Sequence, residues 1–369
     1  MNYMEGLEMT TLLTNVCKQY DDQGKTVLKN VTAKIETGEF FVIVGPSGCG
    51  KSTLLRMIAG LTQISNGEIS IDGQIVNNLP PKDRNLTMVF QSYALFPFLS
   101  VWDNVAFGLR ARKHEQSEIE ERVNNALKMV NLEDLKERKP RELSGGQRQR
   151  VALARAVASD AKICLMDEPL SNLDAQLRIK MRQEIYALQR KLGIILIYVT
   201  HDQVEAMTMA DHIMVLHDSM VQQIGTPAEI YKAPANEFVA GFFGVPPINI
   251  LFATKVGDHS IKVNNNFQVE VEQIVTEKEM KVGIRPNELI VEKADELSAN
   301  ATVQNIEFLG DEKIIHATFN NGGNVSAIVP GIAKFDIFEM VKITSSNNVL
   351  LFNQNGINIT ENKGDLINA

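Results

Sequence analysis

The sequence predicts an α/β domain over residues 10–243 followed by a small all-β barrel or sandwich over residues 244–369. Three observations carry this division. Up to about residue 240, short apolar runs alternate with long helical patterns. The stretch Gly241-Phe242-Phe243-Gly244-Val245-Pro246-Pro247 then breaks the pattern, and β-rich segments follow at close spacing. The charge divides at the same place. Residues 244–369 carry 10 Lys and Arg against 16 Asp and Glu, a net −6, which leaves −2 for residues 1–243. A chain of 369 residues is long enough for two cores without disulfide or metal staples.

In the first domain the run Phe40-Phe41-Val42-Ile43-Val44 has no polar face. It predicts a parallel strand buried on both sides. Lys51–Leu61 follows as a helix with Leu54, Leu55, Ile58 and Leu61 on one stripe and Gly60 near its end. Ile163–Met166 and Ile194–Val199 predict two more buried strands. In the second domain, strands are expected at 259–263, 267–271, 279–284, 301–308, 313–319, 324–329, 339–344 and 348–352. Turn signals such as Asn264-Asn265-Asn266 and Asn320-Asn321-Gly322-Gly323 separate several of them.

The composition, 44% hydrophobic and 22% charged, excludes collagen, coiled coil and bulk disorder. No apolar run approaches the roughly 18–20 residues of a membrane-spanning helix. Met1–Thr11 is acidic and lacks an apolar core, so no secretory signal is expected. Cys17, Cys49 and Cys164 have neither disulfide nor zinc spacing, which fits a reducing compartment. The net charge of −8 argues against a general nucleic-acid binder.

The strongest chemical signal is Gly45-Pro46-Ser47-Gly48-Cys49-Gly50-Lys51-Ser52-Thr53. It fits G-x-x-x-x-G-K-[ST], directly after an apolar strand and opening a helix. Glycines let backbone N–H groups turn inward around phosphate oxygens, and the helix N-terminus adds a positive dipole. Lys51 is a point charge for the β and γ phosphates, and the Ser52 hydroxyl can ligate Mg²⁺. A second signal is Asp167-Glu168 at the end of the run 163–166, where open α/β sheets bind ligands. Asp167 there suits Mg²⁺, and Glu168 suits a general base for an attacking water. The third is Leu143-Ser144-Gly145-Gly146-Gln147 before a helical stretch, with Ser144 as N-cap. One nucleotide does not need two such termini from one chain, whereas two facing chains could share them. Cys49, among these amides and beside Lys51, is expected to favour thiolate. Asn362-Lys363-Gly364-Asp365 fits a guanine-reading pattern but lies far from the phosphate loop, so no guanine role is expected.

Ser144–Gln147 lies in LSGGQ, and with it the sequence resembles the ABC transporter ATPases over residues of about 10–243. Gly45–Thr53 matches Walker A, and Asp167-Glu168 matches Walker B with the catalytic glutamate. Gln91 in Val89-Phe90-Gln91-Ser92-Tyr93 matches the Q-loop glutamine. Ser171-Asn172-Leu173-Asp174 resembles the D-loop, and His201 in Thr200-His201-Asp202 the switch histidine. Tyr20 stands where the family places an aromatic that stacks on adenine. The resemblance implies a P-loop NTPase with a RecA-like core and a helical subdomain. It also implies a head-to-tail dimer in which each ATP lies between Walker A of one chain and the signature of the other. Gln91, on this reading, senses Mg²⁺ and water and links the site to a membrane permease.

Residues 244–369 resemble the OB-like regulatory (TOBE-type) domain of maltose-type import ATPases, at Gly283-Ile284-Arg285-Pro286 and Glu307-Phe308-Leu309-Gly310. Thr200–Met207, Pro234-Ala235-Asn236 and Phe238–Phe242 resemble the same subfamily. It implies a peripheral subunit at the cytoplasmic face of the membrane, with two permease subunits and an extracytoplasmic solute-binding protein. The solute would be a sugar, an oligosaccharide or glycerol phosphate. Polyamine or ferric-iron import, and a soluble ABC ATPase outside transport, are the alternatives.

Overall fold

The computed structural model describes residues 10–20 and 24–360. Met1–Met9 and the stretch Asn362–Asp365 lie outside the described residues. The chain forms two compact units, Met1–Pro227 and Ala228–Ala369.

The first unit contains β1 (Thr11–Tyr20), β2 (Lys25–Ile35), β3 (Phe40–Val44), α1 (Lys51–Ile58), β4 (Asn66–Ile71), β5 (Gln74–Ile75) and β6 (Leu86–Val89). There follow α2 (Val101–Ala111), α3 (Gln116–Met129), α4 (Gly145–Ala158), β7 (Ile163–Asp167), α5 (Ala175–Leu192), β8 (Ile195–Thr200), α6 (Gln203–Met209), β9 (His212–His217) and β10 (Met220–Gly225). The central sheet has the order β10-β9-β3-β8-β7-β6. All its pairings are parallel except that of β10 with β9. A second, antiparallel sheet runs β2-β1-β4-β5.

Every residue of β3, β7 and β8 is buried, as unbroken apolar runs require. Strand alternation divides β3 between two faces. Phe41 and Ile43 join a core with Leu54, Leu55, Met57 and Ile58 of α1 and with Leu13, Val31 and Ile69 of the antiparallel sheet. Phe40 meets the rings of Tyr198 and Tyr186. Helices α2, α3 and α4 pack on one another as a helical group. Among the described residues no helix is long and apolar enough to cross a membrane.

The strand order decides what the sheet edge presents. In β3-β8-β7-β6 the neighbours end flush, with Val44 opposite Thr200, Val199 opposite Asp167, and Met166 opposite Val89. The loops carrying Gly45, His201, Glu168 and Gln91 therefore leave one sheet edge side by side, although up to 156 positions separate them in the chain.

The second unit contains α7 (Pro227–Lys232), α8 (Glu237–Phe242) and, among the described residues, ten strands. These are β11 (Asn249–Gly257), β12 (Ser260–Val263), β13 (Phe267–Glu270), β14 (Glu279–Ile284) and β15 (Leu289–Lys293). The rest are β16 (Ala301–Phe308), β17 (Glu312–Phe319), β18 (Asn324–Pro330), β19 (Met340–Ser345) and β20 (Leu350–Phe352). They form two antiparallel sheets, β13-β12-β11-β14-β20 and β15-β19-β16-β17-β18, around one core. Asn249 joins them, donating to Ile284 O and Ser326 O and accepting from the Ser326 N–H.

The unit begins earlier than the texture of the sequence suggests, because α7 and α8 are tied to the strands. The Arg285 guanidinium donates to Ala240 O, Phe243 O and Tyr231 O at 2.6–3.0 Å, so one buried cation receives the carbonyl ends of both helices. Asn358 Nδ2 donates to Pro234 O at 2.7 Å, and Lys281 pairs with Glu237 at 2.8 Å. Two strands of this unit were not anticipated, β11 and β15. β11 is the middle strand of its sheet, yet it lies directly behind the Pro246-Pro247 pair that breaks the pattern.

Candidate functional site

The loop after β3 is shaped by lack of space. Gly45 has φ 156°, and a Cβ there would lie 2.1 Å from Leu216 O and 2.9 Å from Cys49 Sγ. At Gly50, φ is 105°, and a Cβ would meet Val27 O at 2.9 Å. Gly50 is also the N-cap of α1, and no side chain caps that helix, so its first-turn N–H groups face the loop without a side-chain acceptor. Lys51 is 5% exposed. Its Nζ donates to Gly45 O and Pro46 O, both at 2.8 Å, which folds the ammonium back under the loop.

Ser52 Oγ donates to Asp167 Oδ1 at 2.6 Å. This bond brings a hydroxyl and a carboxylate from α1 and β7 to one point. Hard oxygen donors with few protein ligands suit Mg²⁺, which keeps waters and shares phosphate oxygens. Among the described residues no group of three or more His, Cys, Asp or Glu could hold a metal ion by itself.

Glu168 has φ 45°, a left-handed conformation that costs a non-glycine residue free energy. Its N–H donates to Val199 O at 3.0 Å, which ties it to β8. Its Oε2 lies 3.1 Å from His201 Nδ1. Gln91 Nε2 donates to Ser171 Oγ at 3.2 Å, Ser171 Oγ donates to Glu168 O at 2.8 Å, and Asn172 Nδ2 donates to Gln91 O at 3.0 Å. The segments after β6, β7 and β8 are thus joined by direct hydrogen bonds.

Ser144 to Gln147 behaves differently. Ser144 Oγ accepts from Gln147 N–H at 3.3 Å, and Gln147 Oε1 accepts from Ser144 N–H at 2.8 Å, a reciprocal cap of α4. A Cβ at Gly145 would approach Leu173 at 3.3 Å, and one at Gly146 would approach Leu177 at 3.0 Å. Their smallness therefore lets α4 lie against the start of α5. No hydrogen bond among the described residues joins Ser144–Gln147 to Gly45–Thr53. Tyr20 ends β1, is 43% exposed, and has Lys18 Nζ 4.7 Å from its ring centroid.

Cys49 departs from the expected thiolate. It is buried, and burial pushes its thiol above the usual range. Lys51 Nζ at 4.0 Å and the local N–H groups pull the other way but are outweighed. The thiolate expected from the neighbouring charge is not favoured, because the loop packs the sulfur inward against Gly45.

Three supporting residues have roles that no motif in the sequence announces. Arg84 is buried and donates to Met57 O, Ile58 O, Leu79 O and Asn77 O, which caps the end of α1. Arg155 of α4 donates to Ala94 O at 2.8 Å and Tyr93 O at 3.1 Å, which ties the helical group to the segment after Gln91. Glu205 is buried beside β8. An Arg or Glu within a mixed-polarity stretch gives no sign in sequence that it is buried.

The ABC transporter family matches residues 28–171, and the TOBE domain family matches residues 282–344. The chain is 44% identical over 356 residues to the sn-glycerol-3-phosphate import ATP-binding protein UgpC of Brucella abortus, covering 95% of this chain and 99% of that protein. This chain belongs to the ABC transporter family. It is 49% identical to the maltose/maltodextrin import ATP-binding protein MalK of Photobacterium profundum, over 82% of this chain and 84% of the relative. It is 47% identical to the oligosaccharides import ATP-binding protein MsmX of Bacillus subtilis, over 84% and 88%. Among solved structures, the dimeric post-hydrolysis state of the ATP-binding cassette MJ0796 bound to ADP and Pi superimposes with TM-score 0.53 at 36% identity, over 59% of this chain and 98% of that one. The first unit is accordingly an ABC cassette of the P-loop NTPase fold, and the second carries a TOBE domain. The chain is an ATPase of the import class of this family.

Proposed function

We propose that the sheet-edge site hydrolyses ATP, and that two copies of the chain do so together beneath a membrane permease. The phosphates lie against the amides of Gly45–Thr53, with Lys51 on the β and γ groups. Ser52 and Asp167, with Gln91, would hold Mg²⁺, and the bound cation would supply neutralisation of phosphate charge. Glu168 accepts the proton of the attacking water. His201 contacts the γ-phosphate and, through Nδ1, keeps the Glu168 carboxylate aimed. Tyr20 stacks on the adenine.

Ser144, Gly145, Gly146 and Gln147 complete the site on the other chain. They present glycine amides and the positive end of α4 to the γ-phosphate across the dimer seam. The dimeric cassette bound to ADP and Pi supports this pairing. The protein sits at the cytoplasmic face of the membrane with two permease subunits, and a solute-binding protein delivers the cargo. The names of the relatives favour a sugar, an oligosaccharide or glycerol phosphate as solute.

One observation carries the hydrolytic reading. Glu168 accepts a strained backbone and stands 3.1 Å from His201 at the end of a buried sheet. Glu168→Gln keeps the shape and removes the base. ATP binding is retained, a closed dimer accumulates on gel filtration, and turnover falls by at least about 100-fold. Wild-type turnover in that variant removes the assigned base.

A further inference from the structure

Behind His201 lies a buried cluster that the motifs do not account for. Glu205, in the first turn of α6, is 3% exposed. A carboxyl is rarely buried unless its oxygens are paired. Its Oε2 accepts from Tyr198 OH at 2.9 Å and from Thr200 Oγ1 at 2.7 Å. These two residues alternate on β8, so both side chains leave one face of the strand. Burial raises the Glu205 carboxyl above its usual range, while the two hydroxyls lower it in part.

Thr200 makes a second bond. Its Oγ1 accepts from the N–H of Asp202 at 3.0 Å. A hydroxyl has one proton, so donating it to Glu205 leaves a lone pair for the Asp202 amide. Asp202 then caps α6, accepting from Val204 N–H at 2.7 Å and Glu205 N–H at 3.1 Å. His201 stands between these two pinned residues with its own side chain 56% exposed. Its flanks and the Glu168 contact are what restrain the ring among the described residues.

We infer that Thr200 is a positioning residue for His201, its hydroxyl oriented by the buried Glu205 carboxylate, an inference that rests on the hydrolytic role proposed for His201. Glu205 sets the rotor of Thr200. Thr200 sets the peptide that follows His201, and that peptide sets where the imidazole meets Glu168. Tyr198 anchors the same carboxylate from further back along the strand and does not reach the turn.

The test uses the full chain and steady-state ATPase kinetics, with a melting curve for each variant. Thr200→Val keeps the branched shape and removes the hydroxyl. Its kcat falls about tenfold, while KM for ATP stays within about twofold. Thr200→Ser restores kcat. Tyr198→Phe removes a bond to the same Glu205 oxygen yet keeps kcat within about twofold. In a His201→Ala background, Thr200→Val causes no further loss. Equal kcat losses in Thr200→Val and Tyr198→Phe overturn the inference, since that is the signature of general packing. So does a further loss in the His201→Ala background. If His201→Ala loses turnover and Thr200→Val does not, the positioning role alone fails. If His201→Ala turns over like wild type, the role proposed for His201 fails and this inference goes with it.

Discussion

Two glycine-flanked helix starts, at Gly50 and Ser144, look alike in sequence and are built in opposite ways. Gly50 is left-handed, and no side chain caps α1. Ser144 is extended, and α4 is closed by its own Ser144–Gln147 box. The first terminus lies at the end of a central strand, with Lys51 buried beneath it. The second is exposed at Ser144 and already complete. An uncapped terminus over a buried ammonium is arranged for an anion held within the chain. A self-capped terminus is stable alone and can offer its remaining amides outward to another molecule. On this reading α1 binds nucleotide and α4 only finishes the site of a neighbour.

Disabling each terminus in turn separates their tasks. Lys51→Ala removes the charge beneath the loop. Nucleotide affinity, followed with a fluorescent ATP analogue, falls by at least about 100-fold, and turnover disappears. Ser144→Ala leaves affinity unchanged but lowers turnover by roughly tenfold to 100-fold. Its melting temperature drops by only a few degrees, as expected for about 1 kcal/mol from a lost cap. Were Ser144→Ala to lose nucleotide affinity as Lys51→Ala does, the two termini would not have separate tasks.

Arg84→Met orphans the carbonyls at the far end of α1, and chemical denaturation reads a loss of roughly 2–4 kcal/mol. Nucleotide affinity of the folded fraction stays near wild type, because Arg84 acts on the helix end away from the phosphates. The smallest effect concerns Cys49. Its raised thiol keeps thiolate scarce at neutral pH, so alkylation is slow and accelerates as pH climbs past the ordinary cysteine range. Bound ATP slows it further. A rate already flat between pH 7 and about 9 would mean that Lys51 prevails over burial after all.

Much of this was legible from residues alone. The runs 40–44 and 163–166 have no polar face, and only a strand covered on both sides tolerates that. Eight expected strands of the second unit fall on β12–β14 and β16–β20. β11 carries no clear strand signal, because its alternation begins right behind the pattern-breaking Pro246-Pro247 pair. The boundary moved to Pro227 because a single guanidinium, Arg285, gathers carbonyls from 231, 240 and 243. That attachment is long-range and has no local signature.

Short-range spacing along the chain specifies the chemistry on offer: a phosphate loop, a carboxylate pair, a histidine and a second glycine-rich helix start. Which of them meet is settled by the fold. Parallel strand order placed residues 45, 91, 168 and 201 along one edge, and hydrogen bonds joined Glu168 to His201 and Ser52 to Asp167. It also decided the ionisation of Cys49 and the burial of Glu205. Desolvation depends on everything packed around a group, and that is a property of the folded chain rather than of its neighbours in sequence.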